Sequence, residues 1–126
     1  MSFSADNLFT FDKATLRPEA KLELDKFAAE LKGTKFETIN VTGHTDRIGS
    51  TTYNMKLSTL RAETVKTYLV ESAGIPADKI SAKGVGESEP VTKPGDCKGE
   101  KATKKLIACL QPDRRVEVEV HGTKKQ

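Results

Sequence analysis

Two charged residues fall where a folded domain must give each of them a partner. Arg61 is four residues after Leu57, four before Val65 and seven before Tyr68, inside the apolar stripe of a long helical pattern. That stripe uses Tyr53, Leu57, Leu60, Val65, Tyr68 and Leu69, while Lys56, Glu63 and Lys66 fall on the opposite side. A guanidinium buried without a partner costs several kcal/mol, so its partner should be a carboxylate, internal or on a ligand. The nearest candidate is Asp46, in the loop that feeds this helix. One reading is an ion pair made purely for structure. The other is an acid and a base in one pocket built to hold a zwitterion. Asp46 would then take the ammonium and Arg61 the carboxylate, which a planar guanidinium binds at two points.

Other residues offer weaker chemistry. His44 resembles a general base, but Ser50 is a poor nucleophile candidate and no third group orients the pair. Glu87 and Glu89 could pose as paired carboxylates for glycoside hydrolysis. They lie in a proline-bearing loop without an aromatic platform and read as solvated charge. Lys101, Lys104 and Lys105 read as helix surface, and Gly84-Val85-Gly86 lacks the third glycine and helix start of a nucleotide loop. Cys97 and Cys109 are twelve residues apart, and the only histidines, His44 and His121, are too distant for a zinc set. A local disulfide is the simplest reading, with two unrelated thiols as the alternative. A disulfide would place the chain in an oxidising compartment. No metal or cofactor is expected.

The elements that must position these residues follow from periodicity. Asn7–Phe11 is short and aromatic and reads as a first strand. Pro18 suits a first helical turn, and Ala20, Leu24, Phe27 and Leu31 continue a helix that Gly33 ends. Thr38–Thr42 alternates, with Ile39 and Val41 on one face, and a glycine-framed loop follows over residues 43–50. The long helix runs over residues 51–72 and is closed by Gly74 and Pro76. Ile80–Gly84 reads as a third strand and residues 87–99 as a polar loop. Glu100–Leu110 is a shorter helix that buries Ala102, Leu106, Cys109 and Leu110, and Lys124-Lys125 is tail. Arg115–His121 alternates Val with charged residues, so only one of its faces is buried. The order βαβαβαβ predicts an α+β two-layer sandwich, with helices on one face of a mixed four-stranded sheet.

The chain has 126 residues, enough for one domain, with a core expected over about residues 7–121 and a tail over 122–126. Charged residues make up 31% of it, against a usual ~25%, which predicts a dense charged surface and a modest core. The net charge is only +3 and shows no basic stripe, which argues against a nucleic-acid binder. No apolar run approaches the ~20 residues of a membrane span. The chain opens directly into domain sequence and reads as a soluble domain cut from something larger.

Landmarks in order now carry a resemblance: Val41-Thr-Gly-His-Thr-Asp-Arg-Ile-Gly-Ser50, Tyr53-Asn54, Leu57-Ser58, Arg61-Ala62, Tyr68-Leu69, Gly74-Ile-Pro76, Gly84-Val-Gly86-Glu87 and Pro112-Asp-Arg-Arg-Val116. Over about Asn7 to Val120 the chain resembles the peptidoglycan-binding domains typified by the C-terminus of outer-membrane protein A. Such domains also occur in peptidoglycan-associated lipoprotein and flagellar motor protein B. The cysteines and the Pro112-Asp-Arg-Arg run look most like the outer-membrane protein A and reduction-modifiable-protein branch. The resemblance implies non-catalytic binding of the meso-diaminopimelate stem peptide of Gram-negative peptidoglycan by a periplasmic domain of an outer-membrane protein. It implies that Asp46 and Arg61 grip the free end of diaminopimelate and that Asn54 and Leu57 line the same pocket. Thr10, Phe11 and Asp12 would form the other wall, with Arg115 at the second Arg of the family's Asn-Arg-Arg run. Asp113 stands where the family usually has Asn. Any membrane contact would run through a missing N-terminal part, and a homodimer is compatible with the sequence. The competing class is a cell-wall hydrolase or amidase.

Overall fold

A computed structural model describes residues 2–10, 13–31, 34–93, 95–99, 103–122 and 124–125, with the backbone alone at 34–35 and 124–125. Alternation sets the sheet. Strand β3 (Thr38–His44) sends Ile39 and Val41 into the core, and β5 (Arg115–His121) does the same with Val116 and Val118. With β1 (Ser2–Ser4) and β4 (Ile80–Gly84) they form a four-stranded sheet in the order β1-β5-β3-β4. Only the β3–β4 pair is parallel; the other two are antiparallel. The expected mixed sheet is therefore present.

Helix α2 (Pro18–Leu31) contributes Ala20, Leu24, Phe27 and Ala28 to the core. Helix α3 (Thr51–Ala73) connects the parallel strands and contributes Ala62, Val65 and Leu69. The Tyr68 hydroxyl donates to Asp25 across the two helices at 2.7 Å. Ser50 caps α3 by accepting from Tyr53 N, and Gly74 closes it in the left-handed conformation at φ 75°. That conformation is costly for residues with a Cβ.

Several expectations change. The first strand is not Asn7–Phe11. Ala5–Leu8 forms a single helical turn, α1, whose Phe9 N–H donates to Ala5 O at 2.9 Å. Ala5, Leu8 and Phe9 are buried at three- and four-residue spacing rather than in alternation. Phe9 makes an isolated bridge to Leu16, and the sheet begins instead at Ser2. Phe11, Asp12 and Gly33 lie outside the described residues. Lys124–Lys125, expected as tail, is strand β6 and pairs with β2 (Thr34–Lys35). The last helix, α4, spans Lys104–Cys109. Leu106 is buried in it and Leu110 just after it, while Ala102 lies outside the described residues.

The buried stripe of α3 is Asn54, Ser58, Arg61, Ala62, Val65 and Leu69, whereas Tyr53 and Leu60 are 42% and 45% exposed. Close approach to the sheet decides this. A Cβ on Gly43 would overlap the Ser58 carbonyl, and one on Gly84 would overlap the Thr59 backbone. These two glycines are paired across β3 and β4, so they form a depression that seats α3 at Ser58. Only a small side chain fits there. The Ser58 hydroxyl donates to Met55 O and accepts from Gly86 N, both at 2.9 Å.

Candidate functional site

The loop after β3 is built to hold one carboxylate. Thr45 N donates to Gly86 O and Val85 N to Gly43 O, so the turn after β4 extends the parallel ladder past the strand ends. Asp46 Oδ1 accepts from Ile48 N at 3.0 Å, a local turn that sets its side-chain conformation. Asn54, 3% exposed on α3, spends its amide on Asp46 O, Ile48 O and Glu87 Oε1 at 3.1–3.2 Å. Its place at the pocket is thus accompanied by a second task, tying the loop to the helix.

Asp46 and Arg61, 8% and 7% exposed, line the same cleft of about 320 Å³. Arg61 Nε donates to Lys13 O at 2.9 Å, and its guanidinium lies 5.1 Å from the centroid of the Phe9 ring. Among the described residues Asp46 has an ion partner in Arg114, whose Nη1 donates to Oδ2 at 2.7 Å. The same Nη1 donates to Ile107 O at 2.9 Å, while Nε and Nη2 fork onto the two oxygens of Asp6 at 3.0 Å each. These hydrogen bonds to Asp6, and the one to Asp46, hold the pKa of Arg114 above its ordinary value. Tyr53, Leu57, Ile48, Phe9 and Ile107 supply apolar wall. Among the described residues the charged lining is Asp6, Asp46, Arg17, Arg61 and Arg114, three guanidiniums against two carboxylates.

The structure thus brings Asp46, Arg61, Asn54 and Leu57 together. Thr10 is exposed and lies outside the cleft lining, with its neighbour Phe9 in the wall instead. Phe11 and Asp12 fall outside the described residues. Arg115, expected at the site, is directed elsewhere by strand alternation. It is paired with His44 across the sheet, bonds Glu117, and donates to Glu89 O at 3.0 Å. Arg114 is the cation that sequence reasoning missed. Both arginines were visible, and only the point at which β5 begins decides which one faces the cleft.

The weaker candidates are accounted for by packing. Ser50 is the helix cap. Asp113 is 2% exposed and accepts from Val91 N, Thr92 N and Thr92 Oγ1 at 2.6–2.8 Å, which ties down the loop that leaves β4. Cys97 and Cys109 are joined. Their bridge is not remote from the cleft, because α4 supplies Ile107 and Arg47 donates to Cys97 O and Gly99 O at 2.9 Å. No group of three or more His, Cys, Asp or Glu among the described residues could hold a metal ion.

A mixed sheet under two helices, with an acid and bases facing one cleft, defines a small α+β binding domain. The chain belongs to the OmpA family, whose profile matches residues 8–104. It is 51% identical over 125 residues to outer membrane protein A of Escherichia coli O157:H7, covering 98% of this chain and 36% of that protein. The protein of the same name in Klebsiella pneumoniae gives the same identity and coverage. The chain therefore spans about a third of the length of these curated relatives. Among solved structures, the cell wall anchor of the type VI secretion system (T6SS) from Pseudomonas aeruginosa superposes with a TM-score of 0.76 at 30% identity, covering 96% of this chain and 79% of that one. The peptidoglycan-associated lipoprotein of Burkholderia pseudomallei superposes at 0.68 with 25% identity, covering 90% and 87%. No described helix is long and apolar enough to cross a membrane.

Proposed function

We propose that this domain anchors an outer-membrane protein to the cell wall by binding the stem peptide of peptidoglycan in the periplasm, and that it catalyses no reaction. The cleft takes the free end of meso-diaminopimelate, with Asp46 on the ammonium and Arg61 on the carboxylate. One observation carries this reading: an aspartate and an arginine, each more than nine-tenths buried, line one cleft with apolar walls. Such a cleft suits a ligand end bearing both charges on one carbon, with an aliphatic chain behind it. Membership of the OmpA family, and the name of the Pseudomonas relative as a cell wall anchor, support the choice of wall.

Sacculus pull-down tests the proposal. Asp46→Ala and Arg61→Ala should each lose binding while remaining folded, because each leaves one ligand charge without a partner. Losses of that kind run to about 2–5 kcal/mol, tens- to thousands-fold. Wild-type retention by either folded variant would overturn the assignment. Release of soluble muropeptides from the sacculi would favour a hydrolase instead.

A further inference from the structure

Arg114 takes one oxygen of the very carboxylate that is proposed to receive the ligand's ammonium. Its fork is fixed on the far side by both oxygens of Asp6, and Ile107 O shares the donor that reaches Asp46. Asp46 thereby already has a cation on one oxygen before any ligand arrives. A carboxylate accepts about four hydrogen bonds. Among the described residues Arg114 and Ile48 N take two of these places, so Asp46 retains the capacity to bind an amine but attracts it less than a lone carboxylate would. Among the described residues of the lining, Arg17, Arg61 and Arg114 stand against Asp6 and Asp46, a setting that suits a ligand end bringing a negative charge.

We infer that Arg114 is a second specificity-determining residue of this cleft, beside Arg61: by sharing Asp46 it makes an ammonium alone a poor ligand and strengthens the need for a neighbouring carboxylate. This rests on the proposed diaminopimelate reading and deepens it. Discrimination comes from weakening the wrong ligand as well as from gripping the right one. A lysine-type stem offers only the amine, and meets an aspartate already engaged by an arginine. A diaminopimelate stem adds a carboxylate, which Arg61 attracts. Asp6 sets how much of the Arg114 charge is left over.

The test is calorimetry with matched diaminopimelate and lysine muropeptides on three variants, each checked for folding by circular dichroism. Arg114→Gln should lower the diaminopimelate-to-lysine affinity ratio about tenfold, the size expected when a unit charge is removed from the edge of a partly buried site. The decisive part is a gain, since the lysine stem should bind Arg114→Gln more tightly than wild type. Arg114→Lys keeps the charge and should keep most of the ratio. Asp6→Asn, at a half-exposed position, should move the ratio the other way by leaving Arg114 more strongly positive. A merely structural Arg114 would weaken both ligands together in Arg114→Gln and lower binding in Asp6→Asn as well. An unchanged ratio in Arg114→Gln, or an unchanged or lower ratio in Asp6→Asn, overturns the inference and leaves the proposed function standing. Equal affinities of the wild-type chain for the two stems would overturn both.

Discussion

Arg114 and Arg115 are adjacent in the chain and face opposite sides of the molecule. Arg114 lies before β5 begins, in the cleft, joined to two carboxylates and beside open volume. Arg115 is the first residue of β5, on the face away from the helices. There it bonds Glu117 and the carbonyls of Glu89 and Asp113, packed against a buried His44. Both regions bury charge at comparable depth. On the Arg115 side, local protein atoms use up the guanidinium. On the Arg114 side the arginine holds a carboxylate at the edge of a cleft large enough for a ligand. Burial of a charge therefore does not by itself mark a binding site. What sets the cleft apart is a fixed charge with space in front of it.

The sharpest way to break this contrast is to exchange the losses. Arg61→Ala should abolish sacculus binding while the chain stays folded. Arg115→Ala should leave binding close to wild type and lower stability by about 1–3 kcal/mol, because two loop carbonyls and Glu117 lose their donor. Arg115 also holds the Glu117 carboxyl below its usual pKa. Denaturant titration and pull-down on the same preparations separate the outcomes. Abolished binding in a stable Arg115→Ala would place Arg115 in the site and dissolve the distinction between the two faces.

Reducing Cys97–Cys109 should have the next largest effect. The bridge closes a loop of separation 12. The chain-entropy relation assigns such a loop about 3 kcal/mol. Because Ile107 lies inside that loop and lines the cleft, binding should weaken with it, though by less than in the charge variants. Melting and binding of the oxidised and reduced forms check this. Full affinity in a reduced, destabilised form would show that α4 contributes no wall that matters.

The smallest effect belongs to the outer face. Neither ring nitrogen of His44 has a hydrogen-bond partner among the described residues, and Glu117 is 3.6 Å away. Burial first, then Arg115 and Lys83, push its pKa below the usual 6.5, against the opposing pull of Glu117 and Glu89. The folded chain thus binds this proton less readily than the unfolded chain, so stability rises with pH. The contribution is complete above about 6.5 and is lost as pH falls below it, toward the folded value. His44→Leu should flatten the decline in melting temperature between about pH 7.5 and about pH 5.5. An equally steep decline in the variant would show that other groups set the slope.

The long elements were legible because their signals are redundant. Helix α3 has a cap, a periodic stripe and a glycine stop, and β5 alternates valine with charged or polar residues throughout. The acidic and basic ends of the cleft were legible for a related reason, since Arg61 interrupts an apolar pattern. Three features were hidden. Residues 5–9 are too short for periodicity to separate one helical turn from a strand. The buried face of α3 is rotated toward Ser58 because Gly43 and Gly84 admit the helix backbone closely, a tertiary constraint absent from hydropathy. The choice of Arg114 over Arg115 depends on one residue of strand register, and a shift of one reverses every side chain.

The central claim is that the cleft reads a zwitterionic end, and calorimetry on one matched set of muropeptides tests it most directly. The set carries diaminopimelate, diaminopimelate amidated at its free carboxyl, or lysine. The account predicts tight binding of the first and weak binding of the other two, because each of those leaves the Arg61 guanidinium without its anion, the mismatch a polar site rejects most strongly. Arg61→Lys should not restore discrimination, since a point charge cannot reproduce the planar two-point contact. Equal affinity for all three muropeptides would contradict the account and leave Arg61 a structural residue of the cleft.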